Sequence, residues 1–191
     1  MDWLKQYEKS GVGAISILTE SNFFEGRTDH ISLIRNASTL PILRKDFIID
    51  VYQIFESKVY KADAILLIAS ILSDAQIKEF IKIANDVGLD CIIEVHSKTE
   101  LSRAIKIGYP IIGINNRNLD NLSIDINNTV KLLKNISDDF SIIGESGIKS
   151  YSDITLYNNV GVYNFLIGET ILKAKNIDNK IKELLNIWQL I

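Results

Sequence analysis

The chain reads as an α/β protein built on a parallel sheet, and three observations carry that reading. Short apolar runs recur at 14–18, 41–43, 64–68, 90–95, 111–114, 141–144 and 164–167, which predicts about seven strands. Segments of roughly 20 to 30 residues with helical periodicity separate them. The runs are continuous instead of alternating in polarity, so each strand is expected to be covered on both faces, as helices cover a parallel sheet. A doubly wound sheet and a (β/α) barrel both satisfy this pattern. The barrel is favoured because polar groups stand at the C-terminal end of nearly every strand, where a doubly wound sheet would gather them at one switch point.

Taken in order, the strands end as follows. The first runs into Thr19-Glu20, and the second, after Pro41-Ile42-Leu43, into Arg44-Lys45-Asp46-Phe47, which delivers a lysine to a strand end at the head of a helix. The third, 64–68, opens the longest apolar run, which closes at Ala69. The fourth ends in Glu94-Val95-His96, the fifth in Asn115-Asn116-Arg117, the sixth in Glu145-Ser146-Gly147 and the seventh in Gly168-Glu169. Between them, Ser73-Asp74-Ala75-Gln76 and Ser97-Lys98-Thr99-Glu100 have the spacing of capping boxes, and Gly88 and Gly108 stand where helices end. A last amphipathic segment runs through Trp188. No Gly-x-Gly-x-x-Gly or Walker lysine loop competes with this assignment.

Composition sets the bounds. With 191 residues, 47% of them hydrophobic and 24% charged, the chain has material for one globular domain, 1–191. The opening Met1-Asp2-Trp3-Leu4 lacks the apolar segment of a secretory signal, and the longest apolar run is far short of the roughly 20 residues of a membrane helix, so a cytoplasmic protein is expected. For the same reason the Asn-x-Ser/Thr triplets at Asn36, Asn121, Asn127 and Asn135 read as accidents of composition. The single cysteine, Cys91, lies inside an apolar run and reads as a small core residue. His30 and His96 have no metal-ligand spacing around them, so neither a metal nor a cofactor is expected. A net charge of −3 argues against a nucleic-acid surface.

The quoted segments, in their order and spacing, make the chain resemble indole-3-glycerol phosphate synthase, a TIM (β/α)8 barrel enzyme of tryptophan biosynthesis. The resemblance rests on 14–20, 41–50, Tyr52-Gln53-Ile54, 62–68, 93–96, 113–119, 144–148 and 166–169. It implies ring closure of 1-(2-carboxyphenylamino)-1-deoxyribulose 5-phosphate with loss of carbon dioxide and water, a carbon–carbon lyase reaction. Lys45 is then the proton donor to the substrate oxygen and Glu94 the proton-shuttling carboxylate, with its apolar approach raising its affinity for a proton unless a lysine lies close. Asn115, Glu145 and Ser146 match positions that hold hydroxyls and the ring nitrogen, and Arg117 supports the acidic wall. The phosphate is expected against backbone amides at Ser146-Gly147 and Gly168-Glu169, and the aromatic ring against Phe24, Phe47, Leu66 and Leu122.

The sequence also departs from the family. The N-terminal extension and first strand, with their Glu-x-Lys and Ser-Pro-Ser motifs, are not matched, so the barrel is expected to be incomplete, with two strand edges open. Open edges invite association. The expected partners are therefore the phosphorylated small molecule and either a separate N-terminal fragment or a second copy, and no membrane. Two further readings stand beside the synthase: a shortened, catalytically weak or inactive homologue kept as a binding or structural subunit, and a different phosphate-binding barrel. The neighbouring pathway isomerase would need a cysteine and an aspartate as its acid-base pair, and Cys91 is in the wrong place for it.

Overall fold

A computed structural model describes residues 2–118, 121–133 and 139–186. Leu119 and Asn135, as well as the end of the last amphipathic segment with Trp188, lie outside the described residues. The chain divides into two compact units. The first comprises Val12–Glu94 with Arg103–Gly108, and the second Met1–Gly11, Val95–Ser102 and Tyr109–Ile191.

The unit around Val12–Glu94 holds β1 (Ile15–Leu18), α2 (Asp29–Arg35), β2 (Ile42–Lys45), α3 (Val51–Val59), β3 (Ala64–Ile68), α4 (Asp74–Asp86) and nearly all of β4 (Asp90–Val95). Its strands are parallel and lie in chain order, with Leu18 opposite Lys45, Leu43 opposite Ala64 and Ile68 opposite Glu94. Ile65, Leu67, Cys91 and Ile93 are fully buried, as continuous apolar strands require. The register sets Lys45 and Glu94 at the C-terminal ends of their strands.

The second unit holds α1 (Asp2–Lys9), β5 (Ile111–Asn115), α6 (Asn127–Leu132), β6 (Ser141–Glu145), α7 (Tyr151–Asn158), β7 (Asn164–Leu166), α8 (Glu169–Leu172) and α9 (Ile177–Leu185). Its strands are again parallel and in chain order, with Asn115 opposite Glu145 and Glu145 opposite Leu166. Ser10 Oγ donates to Asp178 Oδ1 at 2.8 Å, joining the end of α1 to α9. Helix α5 (Lys98–Ile107) crosses the division between the units.

The element boundaries follow local chemistry. Ser73 and Gln76 form the capping box at the head of α4. At α5 the box is a variant, because Glu100 Oε2 accepts from the N–H of His96 while Ser97 Oγ accepts from the N–H of Glu100. Gly88 and Gly108 have φ of +70° and +81°, the left-handed turn that ends α4 and α5. Two further boxes, Asp50 with Gln53 and Ser150 with Asp153, open α3 and α7.

Candidate active site

In the unit around Val12–Glu94, two strand ends build an ion pair with an aromatic neighbour. Lys45, the last residue of β2, places its Nζ 2.9 Å from Glu94 Oε2 near the end of β4. Glu94 is 2% exposed, so its carboxylate meets this ammonium where water screens little. The lysine on which the sequence reading made Glu94 conditional is therefore in direct contact. Burial opposes the charged carboxylate, and the ammonium favours it.

The aromatic residues gather beside this pair's own loop. Glu20 accepts from the N–H groups of Asn22 and Phe23, at 2.8 and 2.6 Å, which folds the segment after β1 into a turn. Gly26 closes that turn so tightly that a Cβ there would stand 2.5 Å from the carbonyl oxygen of Leu18. The ring of Phe24 lies 6.4 Å from that of Phe47, and Phe23 stands edge-on to Phe47 at 6.3 Å. Phe24 is half exposed, whereas Leu66 is fully buried in β3.

Behind Lys45 lies a polar network that sequence reasoning missed. Arg44, 2% exposed, donates to Asp46 Oδ2, Thr19 Oγ1, the carbonyl of Gln53 and Ser57 Oγ, and its Nη1 stands 2.8 Å from Glu56 Oε2. Asp46 accepts from Thr19 Oγ1 at 2.6 Å and from the N–H of Phe47 at 2.8 Å. Gln53 Nε2 donates to the Phe47 carbonyl at 3.0 Å, so the turn after Lys45 is held from both sides.

In the second unit, Asn115 and Glu145 are buried neighbours at the ends of β5 and β6. Asn115 Oδ1 accepts from the N–H of Arg117 at 3.0 Å. The Arg117 guanidinium stands 3.5 Å from Glu169, which also takes a 2.6 Å bond from Lys173. Lys173 above all, with Arg117 and Lys149 adding to it, holds the Glu169 carboxyl below its ordinary range. Ser146 and Gly147 both have positive φ, +63° and +87°, which turns the chain sharply after β6. Gly147 sits against Ile124 and Ile126 on the wall of a cavity of about 260 Å3 that Asp125, Lys149 and Asp153 complete. Leu122 is 63% exposed.

A second missed network supports these strand ends. The buried Asn116 amide donates to the carbonyls of Glu145 and Ser146, at 2.8 and 2.9 Å, and to the hydroxyl of Tyr157 at 2.6 Å. Its oxygen accepts from Thr129 Oγ1 at 2.9 Å, and the Tyr157 hydroxyl donates to the Ile126 carbonyl. Among the described residues no group of three or more His, Cys, Asp or Glu could hold a metal ion, and no helix is long and apolar enough to cross a membrane.

Comparison with known proteins decides what this geometry belongs to. The sequence profile of the indole-3-glycerol phosphate synthases matches residues 1–184. The chain belongs to the indole-3-glycerol phosphate synthase family. The synthase of Acetivibrio thermocellus is 50% identical over 179 residues, covering 94% of this chain and 69% of that protein. That of Leuconostoc mesenteroides is 46% identical over 170 residues, covering 89% of this chain and 65% of its own length.

Among solved structures, 3-hexulose-6-phosphate synthase from Salmonella typhimurium superposes with a TM-score of 0.80 at 14% identity, covering 100% of this chain and 92% of that one. KGPDC from Streptococcus mutans does so at 0.69 and 17%, covering 98% and 93%. At such identities these likenesses establish the fold, an α/β protein of the TIM-barrel class with seven described parallel strands. In this member of the synthase family, Lys45 at the end of β2 and Glu94 near the end of β4 form a 2.9 Å ion pair.

Proposed function

We propose that the chain converts 1-(2-carboxyphenylamino)-1-deoxyribulose 5-phosphate into indole-3-glycerol phosphate, in tryptophan biosynthesis and in a cytoplasmic setting. The observation that carries the reading is the ion pair between Lys45 and the buried Glu94, 2.9 Å apart across the intervening β3 at strand ends of one unit, in a chain of this family.

The reaction is a carboxy-lyase reaction. The aromatic carbon bearing the carboxyl group attacks the ribulose carbonyl carbon, and the Lys45 ammonium gives a proton to the carbonyl oxygen as negative charge develops there. The carboxylate leaves as carbon dioxide, and its electron pair restores the aromatic ring. The new hydroxyl then leaves as water together with a proton from the adjacent carbon, and Glu94 in contact with Lys45 takes up and returns protons. The steps are proton transfer, the making and breaking of a carbon–carbon bond and the loss of water, with no external oxidant or reductant, so the reading calls for no cofactor.

Phe24 and Phe47 suit the aromatic ring of the substrate, and Leu66 and Leu122 are assigned the same apolar role. From the second unit, Asn115, Glu145 and Ser146 are assigned the hydroxyls and ring nitrogen, and Arg117 the support of the acidic wall. Gly147, Gly168 and Glu169 are assigned the phosphate through backbone amides. Gly147 fits that part because it has no side chain to stand between its amide and an anion.

The test is product formation by the purified 191-residue chain, followed by its fluorescence, with Lys45→Ala as the blank. Turnover that the substitution abolishes supports the reading. A folded chain without turnover, or turnover indifferent to Lys45, overturns it.

A further inference from the structure

Lys45 stands between two residues of opposite charge that point away from it. Successive side chains of a strand alternate between faces, so Arg44 lies opposite Lys45, and Asp46, the residue after β2, turns to the side of Arg44. The contacts agree. Arg44 meets Asp46, Glu56, Ser57 and the Gln53 carbonyl of α3, while Lys45 meets Glu94 of β4.

A guanidinium with 3% of its side chain exposed, against a carboxylate with 8%, is an expensive feature to keep in a core. Replacing such a pair by apolar residues is often neutral or stabilising, so stability alone does not account for it. What this pair does in space is specific. It fixes a carboxylate one residue from Lys45 on the face away from that lysine, with Thr19 Oγ1 as its other anchor at 2.6 Å. The second oxygen of Asp46 takes the N–H of Phe47 at 2.8 Å, so the same carboxylate also sets the turn that presents the Phe47 ring.

We propose that Arg44 is a positioning residue: by holding the Asp46 carboxylate on the α3 side, it keeps that charge from becoming an additional counterion to Lys45 and leaves the ammonium on the face where Glu94 lies. Arg44 acts through Asp46 and touches no reacting atom. The guanidinium suits the task because its planar fork reaches Asp46, Ser57, Glu56 and the Gln53 carbonyl at once, which an ammonium does not. Without it, Asp46 is a buried anion in search of a cation, and Lys45 is the next residue in the chain. The effect on turnover rests on the synthase reading above, and the effect on Lys45 itself does not.

The test is a double-mutant cycle with two readouts. Arg44→Met, Asp46→Asn and the double variant are compared for kcat and KM, and for the acetylation rate of Lys45 under limiting reagent. Peptide mass spectrometry reads that rate against exposed Lys82. Asparagine keeps an acceptor for the N–H of Phe47 while removing the charge.

Arg44→Met is expected to lower kcat at least tenfold with KM within about twofold, and to slow Lys45 acetylation at least threefold, since an ammonium with a further carboxylate gives up its proton less readily. The double variant is expected to return both readings to within about threefold of Asp46→Asn alone, a rescue that a merely structural role would not give. Should Arg44→Met fail to fold, Arg44→Lys, which keeps one cation, is expected to shift both readings the same way by a smaller factor. Multiplying losses in the double variant, or unchanged Lys45 acetylation in Arg44→Met or Arg44→Lys, overturns the proposal. Acetylation that follows the cycle in a chain without turnover upholds the positioning and refutes the synthase reading instead.

Discussion

At Gly147 a single methyl group would meet both an unfavourable backbone conformation and close side-chain neighbours. Its φ of +87° lies in the region an L side chain rarely adopts, and an added Cβ would stand 2.6 Å from Ile124 Cγ2 and 2.9 Å from Ile126 Cγ2. The backbone contribution is about 1–2 kcal/mol, and crowding of this kind adds about 1–3 kcal/mol. Gly147→Ala should therefore lose about 2–5 kcal/mol in all.

A control separates the two contributions. Gly161 has nearly the same φ, +82°, with nothing within 4 Å of its Cβ position, so Gly161→Ala should show the backbone contribution alone. The assay is urea denaturation of both variants beside the parent chain, with thermal melting as a second reading. At this chain length each kcal/mol moves Tm by about 2–4 °C, so crowding should separate the two variants by about 2–12 °C. Relief of the crowding pushes the Ile124–Ile126 segment and the Ser146 turn apart, so KM for the phosphorylated substrate should rise as well. Equal losses in Gly147→Ala and Gly161→Ala would refute the argument from close approach.

Two further outcomes follow from burial. The Cys91 thiol, which burial above all and Asp90 in addition push up to about 12 from 9.0, keeps its proton in the folded chain where the unfolded chain has lost it. Stability is thus undiminished below pH 9 and falls as pH rises from there toward 12, by at most about 1.4 kcal/mol per pH unit. Cys91→Ala should flatten that alkaline slope in urea titrations, and a thiol reagent at pH 8 should label the parent chain only as it unfolds; prompt labelling of folded chain would sink the point. Tyr157→Phe removes a hydroxyl that donates to the Ile126 carbonyl at 2.9 Å and accepts from the Asn116 amide at 2.6 Å. It should lower stability by about 1–3 kcal/mol, and a change below about 0.5 kcal/mol would show that this bond contributes no more than an ordinary surface contact.

Much of this was legible in the chain, for identifiable reasons. The strand segments were, because a parallel strand covered on both faces is a short unbroken apolar run, and 64–68 and 90–95 coincide with β3 and β4 to the residue. The strand-end placement of Lys45 and Glu94 was, because a C-terminal strand end is a place where such a run can finish in a charged group without burying it against a helix. Their contact was raised as a condition on Glu94 but not fixed by spacing, since 49 positions separate them and the register of β2, β3 and β4 brings them level. The capping boxes at Asp50 and Ser150 were readable by the same spacing rule that found Ser73, and were overlooked.

Arg44 illustrates what spacing cannot supply. In sequence it is one of two adjacent cations, and either could be the solvated one. What buries it is a set of acceptors drawn from Thr19, 25 positions back, and from Gln53 and Ser57, 9 and 13 positions on. Only Asp46, two residues away and just past the end of β2, is written beside it, and that i, i+2 pairing at a strand end was the available signal. Asn116 is the same case in the second unit: Thr129, Tyr157 and two carbonyls satisfy its amide, none of them nearer than 13 positions. In both places the residue that a motif names, Lys45 or Asn115, is adjacent to the one that the fold consumes. Neighbouring side chains at a strand end turn to different sides, so a polar pair there divides: one side chain meets the groups of other strand ends, as Lys45 meets Glu94, and the other must be satisfied from within. A buried, fully bonded neighbour is therefore the expected companion of a group at such a position, and its partners are where a loss of activity without contact to substrate should be sought.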